Sequence, residues 1–363
     1  MDYKKEYDKW LNANYIDDNS KKILLSMKND DAKIRECFYD YLSFGTGGMR
    51  GIMGVGINRM NIYMVRRATQ GLCDFIVENN RDKIVVIAHD SRNNARDYAM
   101  EVAKTCIANG IKVYITKGLR PTPFLSYMVR YYKATAGVNI TASHNTKEYN
   151  GYKLYLSDGA QFSYPDDEKV IAAVNKISDI SVCKTISDKD LKKSKLYNEV
   201  DSKVEKQFLD DALSKMINNE YIKNNGKNLK IVYTPLHGTG SFFLLDAFKK
   251  AGFTNVKVVK SQDDKCGDFK TVPTPNPEKA VAFTESIKIA KQYDSDIIVA
   301  TDPDADRLGV YVKTGKGKYS ALTGNELASV ILEYILFFAK KNKYNLRDYF
   351  VAKSFVTTRL IDS

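Results

Sequence analysis

The chain has 363 residues, 44% of them hydrophobic and 28% charged, which reads as soluble and globular and exceeds the usual ceiling for one hydrophobic core. Two or three domains are therefore expected. The formal charge of +12 comes from 56 Lys and Arg against 44 Asp and Glu. These cations are scattered rather than collected into a stripe, which argues against a nucleic-acid partner and for a solvated surface biased towards anionic substrates. Cys37, Cys73, Cys106, Cys183 and Cys266 lie far apart, with no C-x-x-C pair, so free thiols in a reducing compartment are expected. The first ten residues lack the apolar core of a signal peptide, and no run is long enough to span a bilayer. The longest candidate, Leu327 to Ala339, carries Glu333 and reads as a buried helix. A cytoplasmic protein without a membrane partner is expected.

After a polar, helical N-terminal stretch, apolar runs ending in polar loops alternate with helical patterns, the signature of an open α/β sheet. Ile84 to Ala88 is a strand ending in His89-Asp90-Ser91-Arg92, followed by a helix from Ala95 to about Ala108. Lys112 to Ile115 is a strand, Pro123 to about Tyr132 a helix, and Ala136 to Ile140 a strand ending in Thr141-Ala142-Ser143-His144-Asn145. Gly151 to Leu156 alternates like an edge strand. The Lys-, Asp- and Ser-rich stretch from about Ser178 to Lys195 marks a domain boundary. A second α/β unit follows: a helix near Val204 to Met216, a strand Leu229 to Tyr233 ending in Thr234-Pro235-Leu236-His237-Gly238-Thr239-Gly240, and a helix to Lys250. Val256 to Val259 is a strand, and the loop Thr271 to Glu278 opens a helix to about Tyr293. Beyond Val312, Thr323-Gly324-Asn325-Glu326 caps a helix to about Lys341, and Phe350 to Ala352 reads as a strand. No sequence repeat is visible; what recurs is the apolar strand that ends in a polar loop.

Three stretches carry candidate chemistry. The strand Asp296 to Thr301 feeds Asp302-Pro303-Asp304-Ala305-Asp306-Arg307. Short Asp-rich loops are usually solvated acidic turns, but here an apolar strand feeds the run and an arginine closes it. Three carboxylates so close repel one another and call for a cation, and hard oxygen ligands point to Mg²⁺, or to Ca²⁺ or Mn²⁺, over Zn²⁺. A strand ending in D-x-D is also how aspartyl-phosphate hydrolases present a nucleophile, here Asp302 with Asp304 as acid. Asp306, followed by Arg307, stands where those enzymes have Thr or Val, which favours metal ligation by all three carboxylates. Gly45-Thr46-Gly47-Gly48-Met49-Arg50-Gly51 is a glycine-rich loop whose N–H groups and guanidinium suit phosphate, although flexible turns share that composition. Ser143 at a strand end, beside His144, is a nucleophile or phosphate carrier in one reading and part of a plain polar turn in the other. No G-x-S-x-G elbow surrounds it. Lys153, if it faces the crevice, holds a phosphate or exchanges a proton with a sugar hydroxyl.

Taken together, F-G-T-G-G-M-R-G (Phe44 to Gly51), T-A-S-H-N (Thr141 to Asn145), Y-N-G-Y-K (Tyr149 to Lys153), Y-T-P-L-H-G-T-G, P-T-P-N-P-E and D-P-D-A-D-R resemble the α-D-phosphohexomutase superfamily. The resemblance is to its phosphoglucomutase/phosphomannomutase branch, phosphopentomutase-like enzymes included. It implies consecutive three-layer α/β/α domains with mixed, mostly parallel sheets: domain 1 over 1–190, domain 2 over 191–312 and part of domain 3 over 313–363. Ser143 would be the phosphoserine, and Asp302, Asp304 and Asp306 would hold Mg²⁺ together with an oxygen of its phosphate. Lys153 and Arg50 match the acid/base and active-site arginine positions, His144 flanks the phosphoserine, and Lys353 matches a further proton-handling lysine. Arg307 would face the sugar phosphate, with Gly324 and Asn325 lining the cleft. The implied reaction passes a phosphoryl group through a sugar 1,6-bisphosphate, for instance from glucose 1-phosphate to glucose 6-phosphate, with mannose and pentose phosphates as other substrates.

Two departures stand out. Thr146 replaces the proline usual after T-A-S-H-N, which loosens the loop but removes no reacting group. The family's G-E-x-S-G-type sugar loop and the phosphate-gripping loop of a fourth domain do not occur before Ser363. The resemblance therefore leads one to expect a fragment with little turnover of its own.

Overall fold

The computed structural model describes residues 2–45, 47–79 and 81–362; Thr46 of the glycine-rich loop and Ser363 lie outside them. Contacts divide the chain into two compact units: Met1–Val204 with Cys266–Asp268, and Glu205–Lys265 with Phe269–Ser363. Both are α/β, with mixed sheets and helices packed on them.

In the first unit the strands are β1 (Met49–Ile52), β2 (Ile84–His89), β3 (Lys112–Ile115), β4 (Ala136–Ile140), β5 (Tyr149–Leu156) and β6 (Tyr197–Glu199). They lie in the order β1-β5-β4-β2-β3-β6. β2 is parallel to β3 and β4, and β3 to β6, while β5 runs antiparallel to both β4 and β1. All five residues of β4 are buried, because helices cover both faces of a parallel sheet and leave no side for water. The N-terminal helices Tyr3–Asn12, Asp18–Ser26 and Asp31–Phe38 bring Trp10, Leu24 and Phe38 into the core, where Trp10 meets Phe38 and Tyr63 edge to face. Burying a side chain such as Phe38 contributes roughly 2–3 kcal/mol.

Three expectations are corrected in this unit. Gly151 to Leu156 is not an edge strand: β5 is internal and mostly buried, because Met49–Ile52, expected as loop, pairs along its outer side as β1. Gly48 precedes β1 with φ 96°, a left-handed conformation that L side chains rarely adopt, and a Cβ there would overlap the Tyr152 carbonyl oxygen. The polar stretch from Ser178 to Lys195 buries Ile180 and Leu191 in the first core and leads into β6, so it lies inside the first unit.

The second unit contains β7 (Ile231–Thr234), β8 (Val256–Val258), β9 (Ile297–Thr301), β10 (Leu308–Gly315) and β11 (Lys318–Leu322), in the order β11-β10-β9-β7-β8. β7 is parallel to β8 and β9; β10 is antiparallel to β9 and β11. The order β10-β9-β7-β8 and its strand directions repeat β5-β4-β2-β3 of the first unit. The recurrence expected from the strand-and-loop pattern is thus a repeat of topology without a repeat of sequence.

The helix Gly324–Lys341 forms with a full capping box from Thr323 and Glu326. It is not the buried helix expected, since Val330, Ile331, Tyr334, Ile335 and Phe337 are exposed and Ala339 is its one buried residue. Residues 350–352 form no strand: Phe350 is 91% exposed, and no ladder runs along them. Among the described residues no helix is long and apolar enough to cross a membrane.

Two stability measurements follow. Gly48→Ala should lower unfolding free energy by about 2–3 kcal/mol in urea melts, because both its φ and its contact with Tyr152 oppose a Cβ; an unchanged midpoint would refute the β1 geometry. Burial lowers the His89 pKa from 6.5 to about 4. The unfolded chain then takes up a proton that the folded chain refuses, so this stabilisation is complete above pH 6.5 and falls by about 3 kcal/mol as pH drops to 4. His89→Gln should lose that part of the slope, which paired urea melts across this range would reveal.

Candidate active site

In each unit the chain leaves its first parallel strand for one side of the sheet and later returns to the other. That switch leaves a crevice at the strands' carboxyl ends, where ligands of open α/β sheets bind. In the first unit it lies beside the ends of β2 and β4, which carry Asp90 to Arg92 and Thr141 to Asn145. In the second it lies beside the ends of β7 and β9, which carry Pro235 to Gly240 and Asp302 to Arg307.

Ser143 is 1% exposed, and its φ of 53° is left-handed, a strain of about 1–3 kcal/mol for a residue with a Cβ. Its amide donates to Thr141 Oγ1 at 2.8 Å, and its Oγ lies 3.2 Å from His144 Nδ1. Thr141 Oγ1 in turn donates to Asp90 Oδ2 at 2.6 Å. Asp90 Oδ1 accepts the Arg92 amide at 2.9 Å, and its Oδ2 lies 3.3 Å from Arg92 Nε. Arg92 Nη2 donates to the carbonyls of Ser143 and Asn145, both at 2.6 Å, and Nη1 to those of Thr146 and Tyr149 at 2.8 and 2.9 Å.

Arg50 reaches this loop from β1, and Lys153 lies on β5, the strand next to β4. β1 sets Arg50 opposite Gly151, and Arg50 Nη1 donates to Asn145 Oδ1 at 3.4 Å. Lys153, on β5 opposite Asn139, is 3% exposed. Gly151 O accepts the Thr141 amide, which ties β5 to the start of the Ser143 loop. Ser143, His144, Arg50 and Lys153 therefore share one corner of the first unit.

The aspartate run is the hairpin connection from β9 to β10, with Leu308 paired to Thr301. Asp302 and Asp304 are fully buried and Asp306 is exposed. The amides of Asp306 and Arg307 close over Asp302 by donating to its Oδ1 at 3.2 and 3.0 Å. One oxygen from each carboxylate lies within 4.8 Å of the others. Oxygens bound to one Mg²⁺ lie at most about 4.2 Å apart, so the three carboxylates stand close to the spacing that one ion requires. The donor set is all carboxylate, and burying two such charges in one loop is costly without a cation. These residues fit Mg²⁺.

The other expected residues of this unit fall in separate places. Arg307 Nη1 pairs with Glu278 Oε1 at 2.8 Å, at the end of the Pro-rich loop. Gly324 and Asn325 open the capped helix, and Asn325 Oδ1 accepts the Thr358 amide at 3.0 Å. Lys353 Nζ lies 2.5 Å from Asp362 and 3.4 Å from the Thr358 carbonyl.

Sequence reasoning assigned no role to Asp90, Arg92 or the body of the Pro235–Gly240 loop. In that loop Thr239 donates from both its amide and its hydroxyl to the Pro303 carbonyl, at 2.8 and 3.0 Å. A Cβ on Gly238 would overlap Pro303. His237 sits between Asp264 and Thr271. The signal for Arg92 was present as an Asp-x-Arg pair at the end of a buried strand.

Residues 41–181 match the family described as phosphoglucomutase/phosphomannomutase, alpha/beta/alpha domain I, and residues 206–316 match domain II. The chain is 34% identical over 302 residues to a phosphoglucomutase of Staphylococcus epidermidis, covering 81% of this chain and 53% of that protein. It is 33% identical over 351 residues to a human phosphopentomutase, covering 93% of this chain and 57% of that protein. A phosphoglucomutase/phosphomannomutase family protein of Burkholderia thailandensis shares the fold, with a TM-score of 0.61 at 20% identity over 82% of this chain and 59% of that one. The chain thus belongs to the α-D-phosphohexomutase superfamily, in its phosphoglucomutase/phosphomannomutase family. It spans somewhat more than half the length of these relatives.

If the three carboxylates hold Mg²⁺, the ion should raise the thermal midpoint of the wild-type chain, and Asp304→Asn should need about 100-fold more Mg²⁺ for the same shift. Superimposable titrations would remove Asp304 from the ligand set.

Proposed function

We propose that this chain carries the phosphoryl-transfer residues of a Mg²⁺-dependent phosphosugar mutase, with Ser143 as the covalent phosphate carrier. Glucose 1-phosphate and glucose 6-phosphate are the preferred pair, with mannose and pentose phosphates as other substrates, and a sugar 1,6-bisphosphate is the intermediate. The observation that carries this reading is the Ser143 loop: a strained serine at a switch-point strand end, its hydroxyl beside His144, with Arg50 and Lys153 on the adjoining strands. What supports this reading over an ordinary polar turn is the buried Arg92, which donates to the carbonyls of Ser143, Asn145, Thr146 and Tyr149.

Each residue then has a task. A free hydroxyl of the sugar monophosphate attacks phosphorus on Ser143; the new O–P bond forms as the Oγ–P bond breaks. The hydroxyl's proton passes to a basic group, and a proton returns to Ser143 Oγ. Lys153, nearly excluded from water, is the candidate for that proton exchange. Arg50 supplies charge to the phosphoryl oxygens, and His144 orients Oγ. Asp302, Asp304 and Asp306 hold Mg²⁺, which when bound offsets the charge on phosphoryl oxygens. Arg307, Gly324 and Asn325 bind the sugar phosphate and Lys353 handles a further proton. Repeating the transfer from the other oxygen of the bisphosphate returns the phosphate to Ser143 and leaves the isomerised sugar.

The half-reaction tests the assignment without requiring full turnover. Incubation with glucose 1,6-bisphosphate and Mg²⁺ should add one phosphoryl group at Ser143 by peptide mass spectrometry, and Ser143→Ala should take none. A label on Asp302 instead, persisting in Ser143→Ala, would replace the mutase reading with an aspartyl-phosphate hydrolase.

A further inference from the structure

We propose that Arg92, braced by Asp90, is a positioning residue that fixes the Ser143 loop in the backbone arrangement that accepts and releases a phosphoryl group. The inference rests on the assignment of Ser143 as phosphate carrier. The side chains of Arg92 and Asp90 are both fully buried, so their charges serve the interior of the unit. The guanidinium gathers the carbonyls of Ser143, Asn145, Thr146 and Tyr149, four acceptors from one seven-residue stretch. Asp90 Oδ2 faces Nε at 3.3 Å as an ion pair without a hydrogen bond, and Asp90 also takes the hydroxyl of Thr141, which in turn receives the Ser143 amide. One ion pair therefore grips the loop on both sides of Ser143 and keeps its φ at 53°.

This grip has an electrostatic consequence. Carbonyl oxygens repel a phosphate dianion, and here they are collected on a buried cation. In a trans peptide the N–H points opposite to the C=O. Turning the Ser143 and Asn145 carbonyls towards Arg92 therefore turns the amides of His144 and Thr146 away from it, to the side suited to an anion. Lysine cannot substitute: its ammonium has three donors on a flexible stem, whereas the guanidinium offers five N–H groups in a fixed planar fork.

The test uses the whole 363-residue chain, with Arg92→Lys and Asp90→Asn variants. Glucose 1,6-bisphosphate with Mg²⁺ is the probe, Ser143 phosphorylation is followed over time by mass spectrometry, and amide hydrogen exchange reports on the loop. Arg92→Lys should phosphorylate about 100-fold more slowly at saturating bisphosphate, with the half-saturating concentration within about twofold of wild type. Exchange should quicken over residues 143–149 and stay unchanged in β2 and β4. Asp90→Asn, which leaves the fork in place but removes its countercharge, should fall between. A wild-type rate in Arg92→Lys overturns the proposal. So does a slow rate with equal loss of protection in β2 and β4, the mark of a general core residue. Should Arg92→Lys fail to fold, the same two readouts on Asp90→Asn decide. If wild type itself takes no label at Ser143, the phosphate-carrier reading fails, while loop exchange in the variants still reports whether Arg92 holds the loop.

Discussion

The reactive corner of the first unit depends on an ion pair removed from water. Burying a guanidinium and a carboxylate costs several kcal/mol per ion, and attraction between them offsets this only when their remaining donors and acceptors are used. Here most of them are spent on the polypeptide itself: Asp90 on the Arg92 amide and the Thr141 hydroxyl, and the two terminal nitrogens of Arg92 on the carbonyls of Ser143, Asn145, Thr146 and Tyr149. The pair thereby fixes loop backbone at Ser143, Asn145 and Thr146 and ties it to the first residue of β5, Tyr149. A hydrophobic pair of the same volume could fill that space, yet it would leave those carbonyls without donors.

The second unit uses the same topology with a different brace. The loop after β7 supports the loop after β9, as the loop after β2 supports the loop after β4. Its contacts are neutral hydrogen bonds from Thr239 to the Pro303 carbonyl, and the glycine at 238 lets the two backbones touch. The contrast has a chemical reason. The Ser143 loop carries no net charge of its own, Lys147 and Glu148 offsetting each other, and presents many carbonyls, so a cation collects them. The aspartate loop already carries three carboxylates, and it folds its own amides over Asp302.

Much of this was visible in the residue order. A strand covered on both faces must be a continuous apolar run, so β4 and β9 announced themselves, and the break into T-A-S-H-N or D-P-D-A-D-R marked where polar groups leave the sheet. Arg92 was harder to read because its partners are backbone carbonyls more than fifty residues away, which every residue type supplies alike. Met49–Ile52 looked like loop because Met-Arg-Gly-Ile has little strand propensity; pairing with β5 decides its state. The apolar spacing of Gly324–Lys341 identified a helix correctly, but periodicity shows which side is apolar and not what covers it. Phe350 to Ala352 failed as a strand because an apolar run needs a neighbour to complete its ladder.

The pairing of β1 with β5 also sets an order of assembly. Met49 meets Tyr152, and Arg50 meets Gly151, across about a hundred intervening residues, which makes this the most non-local ladder of the first sheet. Contacts of that separation carry the largest loop-closure cost in the sheet. During synthesis the glycine-rich segment emerges long before its partner strand exists, and it can dock only once β4 and β5 have been made. The arginine beside Asn145 is therefore held in place by the ladder of this sheet whose formation closes the longest stretch of chain.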